Sequence, residues 1–242
     1  NRAVFRDLLT ALQSGRRSIL VSPLSGGTGE GRFVLDHKGR TNSTMVPESL
    51  LSAVRQLRPS TSAASILAAE GQDYLASSFA VGGTLYLIGA GHVAACTAEA
   101  AARVGFRVVV MDDRAEFASR QRFPLADEVR VLPSFADCLP AAEIDSDSYL
   151  VIVTRGHLHD LEVLEQALRT PAGYIGMIGS RKKRNSIYTR LLDRGVTEAQ
   201  LEQVRCPIGM AIEADTPEEI AVSIVGELIY QRATGRKAWH LA

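Results

Sequence analysis

Three short segments carry residue types and spacings suited to binding an anion. In "TLYLIGAGHVA" (84–94) an apolar run ends in Gly89-Ala90-Gly91, and Ala94 stands where a third glycine often sits. The first glycine permits a tight turn and the second lets the backbone approach a phosphate. The small third residue lets helix and strand pack closely. A helix opening at this point offers unpaired N–H groups and the positive end of its dipole. Asp112, 21 residues past Gly91, ends the next strand-like run, where a carboxylate grips a ribose hydroxyl or another ligand donor. Asp113 is the neighbouring candidate. His92, inside the turn, is placed either to donate to a phosphate or to cap the helix.

The second segment is "TRGHLHD" (154–160). It follows the fourth strand of the second half, and in a doubly wound sheet the first and fourth strands flank the point where ligands bind. Thr154, Arg155, His157 and His159 are therefore expected to face the same crevice as the glycine turn, with Arg155 able to pair bidentately with an anion. Asp160 suits a helix start. A metal site is the weaker reading, because residues two apart do not share a helical face and a site needs three or four converging ligands. The third segment, "IGSRKKRN" (178–185), places Ser180 as an N-cap and Arg181 to Arg184 in the first helical turn. Four cations oppose the dipole there, a conflict that an anionic ligand would relieve. Cys206 reads as a small buried side chain rather than a reactive thiol. "SGGTGEG" (25–31) lacks the Lys-Ser/Thr ending of a phosphate loop and reads as a hairpin loop.

These segments need a scaffold. From Thr84 onward, strand patterns ("TLYLIG", "RVVVMDD", "EVRVL", "SYLVIVT", "GYIGMIGS") alternate with helical ones, which predicts a parallel, doubly wound sheet. "DTPEEIAVSIVGELIYQRATG" opens with Thr216, Pro217 and Glu219 in a capping-box arrangement. The first 80 residues predict a smaller α/β domain, with helices in "RAVFRDLLTALQSG", stopped at Gly15, and "PESLLSAVRQL", with Pro47 in the first turn. "RSILVS" and "RFVLD", with the turn "HKGR", form a hairpin. An interdomain connection is expected within 58–83, with "YLASSFA" as a further strand of the first domain. The expected domains are thus 1–80, a small N-terminal α/β domain, and 84–238, Rossmann-like.

Composition narrows the partners. Lys+Arg and Asp+Glu are both 27, so bulk electrostatic attraction to nucleic acid or anionic membrane is not expected. No apolar run has the length of a membrane helix, and no secretory signal is visible. Three widely spaced cysteines fit a reducing cytoplasm and give no metal-binding pair. The residues leave two alternatives open: an NAD(P)-dependent oxidoreductase, for which His157 is the one fair acid/base candidate, and a dimeric interaction module with a vestigial nucleotide site.

In order, "LIGAGHVA", "VVVMDDR", "VIVTRGHLHD", "YIGMIGSRKKR" and "CPIG…TPEEIAVSI" resemble the XdhC/CoxI family, accessory proteins of xanthine and carbon monoxide dehydrogenases. The resemblance implies a maturation factor, and no turnover chemistry of its own is expected of the chain. It would bind molybdenum cofactor, in mono- or dinucleotide form, and insert it into a xanthine-dehydrogenase-type molybdenum hydroxylase. A homodimer and a cysteine desulfurase partner belong to the same implication. The cofactor-binding site expected from the three segments is Gly89, Gly91, His92, Asp112, Thr154, Arg155, His157, Ser180, Arg181 and Lys182. The chain departs from the family pattern in two places. Its first 80 residues lack the family's GS-x-x-R and G-x-x-M elements and hold no cysteine, and Ala211 and Glu213 stand where the family has aspartate and glycine.

Overall fold

A computed structural model describes residues 2–13, 18–25, 31–36, 39–43, 45–57, 64–79, 82–139 and 143–234, with the His157 side chain outside the described set. The chain divides into two compact units, Asn1–Gly83 and Thr84–Ala242.

The first unit is a four-stranded antiparallel sheet with two helices. Its elements are α1 (Arg2–Gln13), β1 (Ser18–Pro23), β2 (Phe33–Asp36), α2 (Glu48–Arg55), β3 (Ala64–Ala69) and β4 (Gln72–Phe79), with strand order β2-β1-β4-β3. Val21, Phe33 and Leu35 from the sheet meet Leu50, Leu51 and Val54 of α2 in its core. Much of the stretch expected to connect the domains is a β-hairpin instead. Ala69 pairs with Gln72 across Glu70-Gly71, both at positive φ (50° and 77°), the geometry of a two-residue hairpin turn. β3 escaped notice because it is largely alanine, its large apolar Ile66 being 67% exposed. Pro47 is the N-cap of α2 rather than a residue of its first turn. Gly15, 26–30 of the glycine-rich loop, His37 and Lys38 of the expected turn, and 58–63 lie outside the described residues.

The second unit carries the expected parallel sheet. It runs β5 (Thr84–Ile88), α3 (His92–Arg103), β6 (Arg107–Asp112), β7 (Glu128–Val131), β8 (Ser148–Ile152), α4 (His157–Ala167), β9 (Tyr174–Met177), α5 (Arg181–Leu192), α6 (Glu198–Leu201), β10 (Val204–Arg205) and α7 (Pro217–Thr234). Strand order is β10-β9-β8-β5-β6-β7, every pairing parallel, so β5 and β8 lie side by side where the order of strands reverses. Every residue of these two strands is buried, as continuous apolar runs require when both faces are covered. Tyr86, Ile88, Leu150 and Ile152 pack toward α4 and α5. Leu85, Leu87, Tyr149 and Val151 pack on the opposite face with the alanines of α3 and with Ile224, Val225 and Leu228 of α7.

α7 begins as its capping box predicts. The Glu219 N–H donates to Thr216 Oγ1 (3.2 Å) and the Thr216 N–H to Glu219 Oε2 (3.1 Å). One buried carboxylate on α7, Glu227, ties the preceding loop to the helix. Its Oε2 accepts from the Gly209 N–H at 2.5 Å, and its Oε1 lies 3.4 Å from Arg205 Nε.

Candidate anion-binding crevice

The glycine turn joins β5 to α3 beside the end of β8. Gly89 has φ +114°, and a Cβ there would lie 2.3 Å from the Val153 carbonyl oxygen. Only glycine fits so close to a neighbouring strand in that conformation. Gly91 is the N-cap of α3, with φ −75° and no side-chain cap, and a Cβ there would meet nothing within 4 Å. The first turn of α3 therefore starts without a side-chain cap, a side chain at position 91 would meet open space, and His92 is exposed at its start. Ala94 is fully buried, meeting the close-packing role expected of the third position.

Asp112 does not face outward to a ligand. It is 1% exposed and accepts four hydrogen bonds. One comes from the Ala90 N–H (2.8 Å) and three from Arg114, through its N–H (3.0 Å), Nε (2.9 Å) and Nη2 (3.0 Å). This carboxylate holds the glycine turn in place, and its lone pairs are spent on that task. The Arg114 guanidinium in turn lies 3.7 Å above the Phe117 ring.

Arg155 and Thr154 are likewise engaged within the protein. Arg155 grips Asp113 with both terminal nitrogens, Nη2 to Oδ2 at 2.8 Å. That pairing draws the Asp113 carboxyl below its ordinary value, despite the opposing effect of burial. Thr154 is 9% exposed and donates to Asp160 Oδ1 at 2.7 Å. Asp160 lies in the first turn of α4, as expected of a helix start, and is fully buried and ion-paired with Lys183 Nζ. Lys183 also donates to the Ile178 carbonyl (3.1 Å). A carboxylate removed from water needs such a partner, and this one fastens the start of α4 to the start of α5. His159 packs against Phe135 with the rings tilted 45° and their centroids 5.0 Å apart, and it sits 3.4 Å from Glu162. His157 opens α4, its side chain lying outside the described set.

Ser180 caps α5 as expected, accepting from the Lys183 N–H at 3.2 Å. Two of the four cations behind it have internal partners: Lys183 on Asp160, and Arg184, which donates to the Cys206 carbonyl at 3.2 Å. Arg181 and Lys182 are exposed. The conflict with the helix dipole is thus halved by the fold itself.

Cys206 is 7% exposed, and burial pushes its thiol up to about 11, against the opposing pull of Arg184 and Lys183. The neighbouring Arg205 pairs with Glu227. Among the described residues no group of three or more His, Cys, Asp or Glu is arranged to hold a metal ion, and no helix is long and apolar enough to cross a membrane.

Sequence reasoning missed the roles of Arg114, Lys183 and Glu227. Glu227 had a signal, a carboxylate inside the apolar run "SIVGELI". The other two had none, because their partners are distant or shared with expected ligand contacts.

Comparison with known proteins is consistent with this geometry. Residues 85–228 match the family described as the XdhC Rossmann domain. The chain is 33% identical over 145 residues to the uncharacterized protein YqeB of Escherichia coli K12, covering 60% of this chain and 26% of that protein. It is 32% identical over 149 residues to a protein of Bacillus subtilis 168 described as a probable xanthine dehydrogenase component, covering 61% and 42%. A weaker likeness, 26% over 95 residues, links it to the molybdenum cofactor insertion chaperone PaoD of E. coli K12, covering 38% and 30%. The matched regions therefore span less than half the length of these curated relatives. A solved structure of a Bacillus halodurans protein described as a xanthine dehydrogenase superposes with TM-score 0.71 at 26% identity, covering 97% of this chain and 68% of that one. With the family match extending over more than half of its residues, the chain belongs to the XdhC family.

Proposed function

We propose that the protein binds molybdenum cofactor and helps insert it into a xanthine-dehydrogenase-type molybdenum hydroxylase, without turnover chemistry of its own. The observation that carries this reading is the glycine turn at the switch point, with Gly89 pressed against Val153 and open space over Gly91. A phosphate of the cofactor fits that place, because uncapped N–H groups at a helix start attract anions. The backbone of 89–92, His92, Ser180, Arg181 and Lys182 would hold it. The cofactor itself supplies the molybdenum centre that the target hydroxylase uses. Arg155 would join the contacts by exchanging Asp113 for the ligand, and His157 belongs to the same proposed set. Thr154 and Asp112 would act from behind, as the groups that hold these turns.

The relatives named for xanthine dehydrogenase and for cofactor insertion support the choice of ligand. The commitment of Asp112 to Ala90 and Arg114 weighs against an NAD-type grip on ribose, since that grip needs a carboxylate with open lone pairs. A protonated, buried Cys206 is a poor sulfur carrier, so sulfuration is assigned to a partner such as a cysteine desulfurase. The reading also includes cytoplasmic location and a second copy of the chain, both on family resemblance.

The test is to titrate molybdenum cofactor and NAD(H) separately and follow melting temperature and intrinsic fluorescence. A ligand of the native state at about a hundred times its Kd adds about 2.7 kcal/mol of stability. The cofactor is expected to raise the melting temperature, and Arg181→Ala with Lys182→Ala to weaken binding with the fold intact. Binding of NAD(H) alone, or of neither ligand, overturns the reading.

A further inference from the structure

A cavity lies away from the crevice. A parallel crossover is normally covered by a helix, yet residues 113–127, between β6 and β7, form turns and bends with no helix. The irregular segment leaves a cavity of about 380 Å³ against the side of α3. Ala95, Ala98 and Arg103 line it from α3, and Arg122, Phe123 and Ala126 from the crossover. Ala98, Phe123 and Ala126 are almost fully buried and make an apolar floor. The volume falls in the range of small-molecule sites, which combine an apolar body with a few placed polar groups.

The two arginines differ. Arg103 is neutralised by Glu99 (2.9 Å), which also lines the cavity. Arg122 has no carboxylate partner among the described residues. Its guanidinium lies 4.6 Å from the centre of the Phe117 ring, which also carries Arg114. A guanidinium that rests over a ring and has no carboxylate partner among the described residues keeps N–H groups for a second partner, and these match a carboxylate. The cavity thus joins an apolar floor to one cation placed over a ring rather than in an ion pair.

We propose that this cavity is a binding site for a small amphipathic acid, one with a flat apolar body and a single carboxylate, anchored by Arg122. The apolar body rests on Ala98, Phe123 and Ala126, and the carboxylate pairs with Arg122 at the rim. None of the crevice residues lines the cavity, so the site is independent of the proposed cofactor function.

The experiment uses the full chain with labelled alanine methyl groups, followed by NMR. The probes are 3-phenylpropionate and its uncharged amide. Saturable shifts of the Ala95, Ala98 and Ala126 methyls are expected with both. The acid should bind about fivefold more tightly, the gain of one well-placed charged hydrogen bond at a rim. Arg122→Gln should erase that preference and leave the amide affinity unchanged. Absence of saturable shifts at these three methyls overturns the proposal. So does equal binding of acid and amide to the unaltered protein, a result that needs no variant.

Discussion

At the scale of single residues, several polar groups expected to meet a ligand are spent on the protein itself. Asp112, Arg155 and Thr154 all have partners at hydrogen-bonding distance inside the protein. Read as sequence they pointed outward, because a strand-end carboxylate or a loop arginine is where a nucleotide site keeps its contacts. Burial reverses that reading. A carboxylate that is 1% exposed must be fully hydrogen-bonded, and here the nearest donors are the Ala90 N–H and Arg114. The Asp113–Arg155 pair gives a pH signature. The folded-state pKa of Asp113 lies below its ordinary 3.8, so the pair's contribution is complete above that value and is lost as pH falls through the lower folded pKa. Melting curves of the natural protein and of Asp113→Asn should therefore differ by a constant amount from neutral pH down toward 3.8. The gap should close below it. A gap that instead closes between about pH 5 and 7 would show that another group, such as a histidine, controls the pair.

At the scale of elements, the two glycines of one turn separate fold from function. Gly89→Ala places a Cβ against the Val153 backbone at a φ that L residues rarely adopt. Such a clash combined with strain costs several kcal/mol, on the order of 3 or more, and the variant should melt far below the natural protein or fail to fold. Gly91→Ala adds a methyl to open space at an ordinary φ. It should melt within about 1 kcal/mol of the natural protein, the scale of a poorer N-cap, yet weaken binding of an anion at the start of α3, measured by titration of the cofactor. Undiminished binding by Gly91→Ala would remove the turn from the site. The glycine motif was legible because its logic is local, a strand, a turn and a helix within eleven residues. The tie between α4 and α5 through Asp160 and Lys183 was not, since no short-range pattern announces which distant cation meets a buried carboxylate. A related case is Glu213, a residue other than glycine held at φ +56°, a left-handed conformation that no local sequence pattern announces.

At the scale of the whole chain, the parallel sheet was legible because its central strands carry uninterrupted apolar runs, and such runs belong to strands covered on both faces. The elements that escaped are those with little side-chain signal. These are the alanine-rich β3, the two-residue β10, and a crossover from 113 to 127 with no helix where one was the default. The same division of apolar residues governs how the chain can be cut. One hydrophobic cluster, from Val21 to Ala76, lies wholly within the first unit, and the other two, between Leu85 and Leu228, lie wholly within the second. A unit whose core draws on no outside residue has what independent folding requires. The fragment 84–242 is therefore expected to unfold cooperatively, with helix and sheet signals lost in one transition, and to bind the cofactor as the full chain does, because every crevice residue falls inside it. Circular dichroism melting and a cofactor titration on the fragment check both expectations. A broad, non-cooperative melt would show that the first unit completes the fold of the second. A cooperative melt with cofactor binding lost would show that the first unit supplies part of the site.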